Sequence, residues 1–472
     1  MTGSVREALS EPVPEATLSR VQTVMRAIED RIEGRALGPG ARLPSVRAFA
    51  ESMGVSKSTV VEAYDRLAAR GAIVSRPGSG FFVAARPEPL SLAAIGPRLD
   101  RAVDPVWITR QSLEAGPDSL RPGCGWLPPD WLPEEDLRRA LRHVARQSDA
   151  VMFYDTPQGH APLRQQLALR LTERGIRAHP DQLVLADSVT QALDLIIRFL
   201  AEPGDTVLLD DPCYFSFQAL ARAHRLRMVG VPFGPEGPDL AAFEQALIEH
   251  KPRFYITNSG LQNPTGATLS PVVVHRMLRL AEMHGTLIVE DDAYADFEPE
   301  PGPRLAGFDG LDRVIHVGGF SKTLSTGARV GAIALRSDWV ERLVDLKLAV
   351  SLSDNHLTAA TVHRFLAEGS YRHHLDALRT RLADARGMVV RRLAQAGLSV
   401  PFVPSAGMFL WTRLPEGLDA VDVSRRALAR GVVLAPGNVF SISQGAASFL
   451  RFNVAQCASP RVFSELSRAM EG

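Results

Sequence analysis

Four lysines, Lys57, Lys251, Lys322 and Lys347, stand among 53 basic side chains, so chemistry that needs a primary amine has four addresses in this chain of 472 residues. Lys322 has the setting that suits it. A β-branched run, Val314, Ile315 and Val317, ends in Gly318-Gly319; Phe320-Ser321-Lys322-Thr323 follows, and Arg329 lies seven residues beyond the lysine. An amine at the tip of a strand, desolvated and near another cation, loses its proton more readily and can attack an aldehyde to form a Schiff base. Arg329 offers bidentate geometry for a phosphate on such an aldehyde. The alternative for this stretch is a solvated lysine beside a turn. The other three lysines have plainer settings: Lys57 in a basic N-terminal segment, Lys251 before Pro252 in a loop, and Lys347 on a helix.

Other stretches complete a site of this kind. Asp187-Ser188-Val189-Thr190-Gln191 follows an apolar strand and opens a helix to Leu200, so its amides and the helix dipole form a seat for an anion. Asp211-Pro212-Cys213-Tyr214 ends another strand, and Tyr214 is either a ring to stack on a planar ligand or a core tyrosine. Asn263-Pro264-Thr265-Gly266 reads as a turn whose amide suits a phenolic oxygen. Glu290-Asp291-Asp292-Ala293-Tyr294 closes an apolar strand, and carboxylates at strand C-termini in α/β sheets point toward the ligand crevice. Asp291 there suits a protonated pyridine nitrogen and Tyr294 the ring's oxygen.

The elements that must position these groups are legible as alternation. From residue 116 onward strands are expected at Leu183–Ala186, Thr206–Leu209, Arg227–Pro232, Arg253–Thr257, Thr286–Val289, Val314–Val317 and Val330–Leu335, with helices such as Thr190–Leu200 and Pro271–His284 between many of them. This predicts an α/β domain over 116–472 with a large, mostly parallel sheet. From about 370 a long helix, Tyr371–Ala396, and short strands near Met408–Thr412, Val432–Ala435 and Phe449–Val454 predict a smaller C-terminal α+β subdomain.

The N-terminal part differs. Residues 1–16 read as a loose tail, and 85–115, with Pro87, Pro89, Pro97 and Pro105, as a linker. Between them, 17–84 forms a compact unit. Leu18, Val21, Val24, Met25, Ile28 and Ile32 make one helix face, stopped by Gly34 and Gly38-Pro39-Gly40. Ser45 caps a short second helix, Gly54-Val55 breaks it, and a third helix starts at Ser56, which is helix-turn-helix spacing. Val60, Tyr64 and Leu67 fall on its buried face, leaving Ser56, Lys57, Ser58, Thr59 and Val61 outward near its N-terminus, where they suit phosphate oxygens and base edges. Two short strands around Pro77-Gly78-Ser79-Gly80 form a wing. A three-helix unit for protein contacts is the competing reading.

Formal net charge is zero, so attraction to nucleic acid has to be local. It is: residues 17–83 hold ten basic against six acidic side chains. Cys124, Cys213 and Cys457 are too scattered for a disulfide framework or a paired metal-ligand pattern, and no metal is expected. Acids and prolines near the start where a signal peptide has an apolar core, and no apolar run near the ~20 residues that span a bilayer, predict a soluble, cytoplasmic protein without a membrane partner.

Leu43-Pro44-Ser45-Val46-Arg47, Val55-Ser56-Lys57-Ser58-Thr59-Val60 and Gly78-Ser79-Gly80 together resemble the GntR-type winged helix-turn-helix. That resemblance implies operator DNA as partner, with Arg47, Ser56, Lys57, Ser58 and Thr59 as contacts and Gly80 bringing the wing close to the backbone. Val61 stands where some relatives carry a base-reading arginine. The series Tyr154…Gly159, Ser188–Gln191, Tyr214, Asn263-Pro264-Thr265-Gly266, Asp291…Tyr294, Ser321-Lys322…Arg329 and Arg451 resembles the fold-type I aminotransferases. It implies pyridoxal 5'-phosphate (PLP) on Lys322, with Arg329 and the Ser188, Val189 and Thr190 amides on the phosphate and Tyr214 stacked on the ring. It further implies Arg451 on a substrate carboxylate, and Tyr154 reaching the phosphate of the partner subunit in a homodimer. Gly319 departs from the pattern, standing where relatives often place a phosphate-binding hydroxyl. The two halves in this order resemble the MocR subgroup of GntR regulators, which implies a PLP-dependent regulator sensing PLP or an amino compound. A working aminotransferase, and a PLP sensor without an amino substrate, are the alternatives.

Overall fold

The structure, a computed structural model, describes residues 19–33, 37, 38, 40–76, 78–84, 105–116 and 118–471. The expected tail, the linker up to residue 104, and Leu18, Gly34, Pro39 and Pro77 lie outside these. The chain forms two compact units, one within residues 1–91 and one within 92–472.

In the first unit, helices α1 (Arg20–Glu33), α2 (Val46–Met53) and α3 (Lys57–Ala69) precede strands β1 (Ile73–Arg76) and β2 (Gly80–Val83). The local signals act as read from the sequence. Ser45 Oγ accepts the Ala48 amide to start α2, and Gly54, at φ 63°, ends it by donating its amide to the Ala50 and Glu51 carbonyls. Val24, Ile28, Phe49, Val60, Tyr64 and Leu67 bury one shared core, and the Tyr64 hydroxyl finds the Pro44 carbonyl at 3.0 Å. β1 and β2 pair antiparallel, Ile73 opposite Val83 and Arg76 opposite Gly80.

Residues 105–114, inside the stretch expected as linker, form a helix in the second unit that packs against the helix Phe215–Ala223. Pro105 is its first residue, where a proline's missing N–H costs nothing.

The large sheet has strands β3 (Leu183–Ala186), β4 (Thr206–Asp211), β5 (Arg227–Gly234), β6 (Gly237–Pro238), β7 (Phe254–Thr257), β8 (Leu287–Asp291), β9 (Val314–Gly319) and β10 (Gly331–Ala334). Their order is β3-β10-β9-β8-β7-β4-β5-β6. Strands β9, β8, β7, β4 and β5 run parallel, while β10 lies antiparallel to both β9 and β3. The central strands β4, β7 and β8 are largely buried on both faces, which is why they read as continuous apolar runs. Helices cover them, among them Val189–Leu200 and Pro271–Met283. A smaller sheet, β11 (Phe409–Arg413), β12 (Ala435–Pro436) and β13 (Phe449–Asn453) in the order β11-β13-β12, packs with the 26-residue helix Ser370–Gln395 around a second core containing Leu382, Leu393, Leu410 and Leu450.

Two glycines test this packing with opposite sign. A Cβ on Gly331 would lie 2.5 Å from the Ser188 carbonyl carbon, whereas Gly387, inside the long helix, meets nothing closer than the end of Arg391 at 3.6 Å. Gly331→Ala is expected to destabilise by about 1–3 kcal/mol. Gly387→Ala should stabilise by up to about 1 kcal/mol. Urea midpoints of the two variants should move in opposite directions.

Candidate functional site

The C-terminal ends of the parallel strands converge on a cavity of about 110 Å³. Ser188, Val189, Thr190 and Tyr214 line one part of it; Asp291, Tyr294, Ser321, Lys322 and Arg329 line the rest, with Gly319. Residues far apart in the chain thus meet in one place. Asn263 joins them through Tyr294, and Arg451 through Asn263; Tyr154 does not line this cavity and is 76% exposed.

Each group is held by an identifiable element. Ser188 Oγ accepts the Gln191 amide and so starts the helix Val189–Leu200. The amides of Val189 and Thr190, in the first turn, have no intrahelical acceptor and carry the positive end of the helix dipole. Lys322 follows β9, and its Nζ donates to the Gly125 carbonyl at 2.8 Å, with the Tyr294 ring centroid 5.8 Å away. Thr323, next in the chain, shares a 2.6 Å hydrogen bond with Tyr371, whose hydroxyl donates to Asp296. That bond ties the lysine loop to the long helix.

Arg451 is enclosed on all sides. It is 1% exposed and lies between the rings of Phe409 and Phe440, 4.2 and 4.8 Å from their centroids. It donates to Asn263 Oδ1 at 2.8 Å and to the Gly123 carbonyl at 2.7 Å, while Nε has no partner among the described residues. Asn263 in turn donates to the Tyr294 hydroxyl at 3.1 Å. Burial lowers the arginine's pKa and, with Tyr214 nearby, raises that of Tyr294 well above the usual phenol value.

The neighbouring acids Asp291 and Asp292 point to opposite sides, as consecutive residues at a strand end do. Burial pushes the Asp291 carboxyl up to about 6, against the Ala293 amide and the charge of Lys322. Burial also acts on Asp292, but Arg304 at 2.7 Å and His316 overcome it and bring that carboxyl down to about 2. Asp291 faces the cavity; Asp292 belongs to a structural ion network.

Gly319 has a physical reason for lacking a side chain: a Cβ would sit 2.8 Å from the Val330 carbonyl and 2.9 Å from Val189 Cγ2. A hydroxyl there has no room in this packing. Three participants escaped the sequence reading: the carbonyls of Gly123 and Gly125 and the ring pair Phe409 and Phe440. The Gly123-Cys124-Gly125 string was the available signal, since a Cβ on Gly125 would lie 3.7 Å from Lys322 Nζ. Of the remaining lysines, Lys347 is fully buried, paired with Asp354 and donating to the Pro157 carbonyl at 2.8 Å; Lys251 ends a helix in the left-handed conformation.

In the first unit, Ser56 caps α3, its hydroxyl within 2.8 Å of Ser58 Oγ and 2.7 Å of Thr59 Oγ1. Ser56, Lys57 and Ser58 are exposed and Thr59 half-buried; Val61 is exposed beside them. Arg47 is exposed on α2 and pairs with Glu51 at 3.2 Å. Gly80 takes φ 99°, and a Cβ there would lie 3.7 Å from Arg42 Nε.

The class I and II aminotransferase family matches residues 128–462, and the gntR family of bacterial regulatory proteins matches residues 20–83. The chain is 33% identical over 452 residues to the HTH-type transcriptional regulator YdcR of Escherichia coli, covering 93% of this chain and 95% of that protein. It is 29% identical over 412 residues to the probable rhizopine catabolism regulatory protein MocR of Rhizobium meliloti, covering 84% and 82%. The second unit resembles LysN, the α-aminoadipate aminotransferase of Thermus thermophilus, solved with N-(5'-phosphopyridoxyl)-L-leucine: TM-score 0.71, 30% identity, 77% of this chain and 94% of that one. The chain belongs to the MocR-type regulators, in which a GntR helix-turn-helix unit precedes a fold-type I aminotransferase domain.

The pKa of Asp291 has a stability consequence. Because the folded carboxyl titrates near 6 rather than at its ordinary 3.8, the fold favours the neutral acid; the stability this contributes, on the order of 2–3 kcal/mol, is present below about pH 3.8, is lost as the pH rises to about 6, and is absent above that. The ligand-free Asp291→Asn variant should therefore be more stable than the parent at pH 8. Denaturation midpoints should show this advantage steady from pH 8 to about pH 6 and shrinking from there towards pH 4.

Proposed function

We propose that this protein is a cytoplasmic, dimeric transcriptional regulator that binds operator DNA through Arg47, Ser56, Lys57, Ser58, Thr59 and the wing at Gly80, and holds PLP through Lys322. What supports this above all is the convergence, in one cavity, of three groups: an amine with no carboxylate partner among the described residues, an anion seat at a helix start and a buried carboxyl.

The donor set fits the cofactor. When bound, PLP supplies an electrophilic carbonyl carbon and an electron-withdrawing ring. Lys322 would carry it as the catalytic amine, and the Val189 and Thr190 amides, Ser188, Ser321 and Arg329 would take its phosphate. Tyr214 would lie against the ring, Asp291 would hold the proton at the ring nitrogen, and Asn263 with Tyr294 would meet the phenolic oxygen. Arg451, its Nε unpartnered among the described residues in a buried slot, would grip the carboxylate of an amino compound. The exposure of Tyr154 beside Val151, Met152 and Phe153 supports a homodimer in which it reaches the partner's phosphate.

The effector, PLP itself or an amino compound, acts by preferring one arrangement of the dimer's DNA-binding units. A tenfold change in operator affinity needs only ~1.4 kcal/mol of such preference. A second reading, an active aminotransferase, is favoured by the presence together of Lys322, Asp291, Tyr294 and Arg451; sustained turnover with an amino donor and no sequence-selective DNA binding would establish it instead.

Borohydride reduction of the PLP-saturated protein should fix the cofactor on the Lys322 peptide, and Lys322→Ala should abolish the trapped adduct; an adduct on Lys251 or Lys347 would reassign the amine. On DNA, Lys57→Ala should weaken binding to all sequences by a similar factor and reduce the slope of log affinity against log salt by about one. An unchanged slope would remove Lys57 from the phosphate contacts.

A further inference from the structure

We infer that Asp155, His160 and His356 form a divalent transition-metal site, with zinc the ion whose chemistry they fit. Their ligand atoms all lie within 4.8 Å of one another. His160 Nδ1 is 2.9 Å and His356 Nε2 3.3 Å from the same oxygen, Asp155 Oδ2. A tetrahedral ion with bonds of about 2.0–2.2 Å holds its ligand atoms roughly 3.3 Å apart, so little movement is needed to seat it. Two imidazoles and one carboxylate are zinc ligands, and three protein ligands leave a fourth position for water.

The orientation of His356 suits a metal ligand. Its Nδ1 lies 3.2 Å from the Phe153 carbonyl, which only an N–H can satisfy. A neutral imidazole has a single N–H, so Nε2 then turns a lone pair toward the lone pairs of Asp155 Oδ2. Either a second proton on Nε2 or a metal ion between them removes that opposition, and a backbone carbonyl on the far ring nitrogen is the usual way a metal-bound histidine is oriented. Asp155 is braced likewise, Oδ1 accepting the Thr156 amide at 2.7 Å. The three side chains are 10–15% exposed, which leaves a route for the ion.

Such a site would clamp the segment after Tyr154 to the start of the helix His356–Ala367, where the Asn355 amide already donates to Asp187 beside the anion seat. That consequence for Tyr154 rests on the proposed cofactor reading; the metal site does not.

The test is a Co²⁺ titration of the full-length protein after chelator treatment and dialysis, followed by visible absorption and competition with Zn²⁺. One Co²⁺ per chain with the intense bands of a four-coordinate site, displaced by Zn²⁺, is the expected result. The His160→Gln/His356→Gln double variant should bind at least tenfold more weakly, and Asp155→Asn should weaken binding in the same direction. Zn²⁺ should raise the melting temperature of the parent protein and leave that of the double variant unmoved, with circular dichroism confirming that the variant is folded. Absence of stoichiometric uptake by the parent, or equal uptake by the folded double variant, would overturn the site and leave His356 as a protonated partner of Asp155. PLP uptake, read separately at Lys322, does not enter either outcome.

Discussion

A buried guanidinium with its Nε unpartnered among the described residues, that of Arg451, lies behind the cavity and is linked to it through Asn263 and Tyr294. Leaving such a donor unpaired costs about 1–3 kcal/mol, more for a charged group, and the fold places it in a slot between Phe409 and Phe440. Arg451 orients Asn263, Asn263 orients the Tyr294 hydroxyl, and the Tyr294 ring faces the Lys322 amine. Lys322, Arg329 and the reluctant acid Asp291 share the cavity, a set that suits the anionic ligand of the proposed function. Sites whose groups are held away from their ordinary ionisation are where binding and chemistry concentrate.

The sheet explains how such groups stay in place without pairing off. Five parallel strands end on the same side: Asp291 ends β8, and Tyr214 and Lys322, in the loops after β4 and β9, line the same crevice, with Asn263 after β7 bonded to Tyr294 behind it. The opposite sides of those loops are tied down separately. Asp292 is held by Arg304 and His316, and Thr323 by Tyr371 and Asp296, so charge is neutralised behind the strand while the cavity side keeps its mismatch. Gly319 and Gly331, each with backbone where a side chain would be, let the lysine strand and its antiparallel neighbour lie against the helix start at Ser188 and Val189.

Much of this was legible in the sequence because the signals are local. The run Val314–Val317 ending in glycines, the helix opening at Asp187–Gln191 and the acids after an apolar strand each declare themselves within a few residues. The helix-turn-helix unit was equally readable, since Ser45, Gly54 and Ser56 punctuate its helices. What was not legible depends on distant meetings. The antiparallel direction of β10 leaves no mark on four apolar residues, and the carbonyls of Gly123 and Gly125 reach the site only because β13 and the lysine loop are brought to them. Asp155, His160 and His356 lie across 200 residues of chain, and only the fold makes them neighbours. Pro105 misled in the other direction, its proline-rich surroundings reading as linker where it opens a helix.

Regulation requires that occupancy at Lys322 be felt at the DNA, and every other part of the proposed function serves that link. The most direct measurement is the affinity of the full-length protein for DNA fragments selected by it, with and without saturating PLP, for the parent chain and for Lys322→Ala. PLP is expected to change the parent's affinity for selected DNA and to leave the variant's unchanged, with both proteins binding unselected DNA alike. Parent affinity that is the same at every PLP concentration, with or without an amino compound, would contradict it.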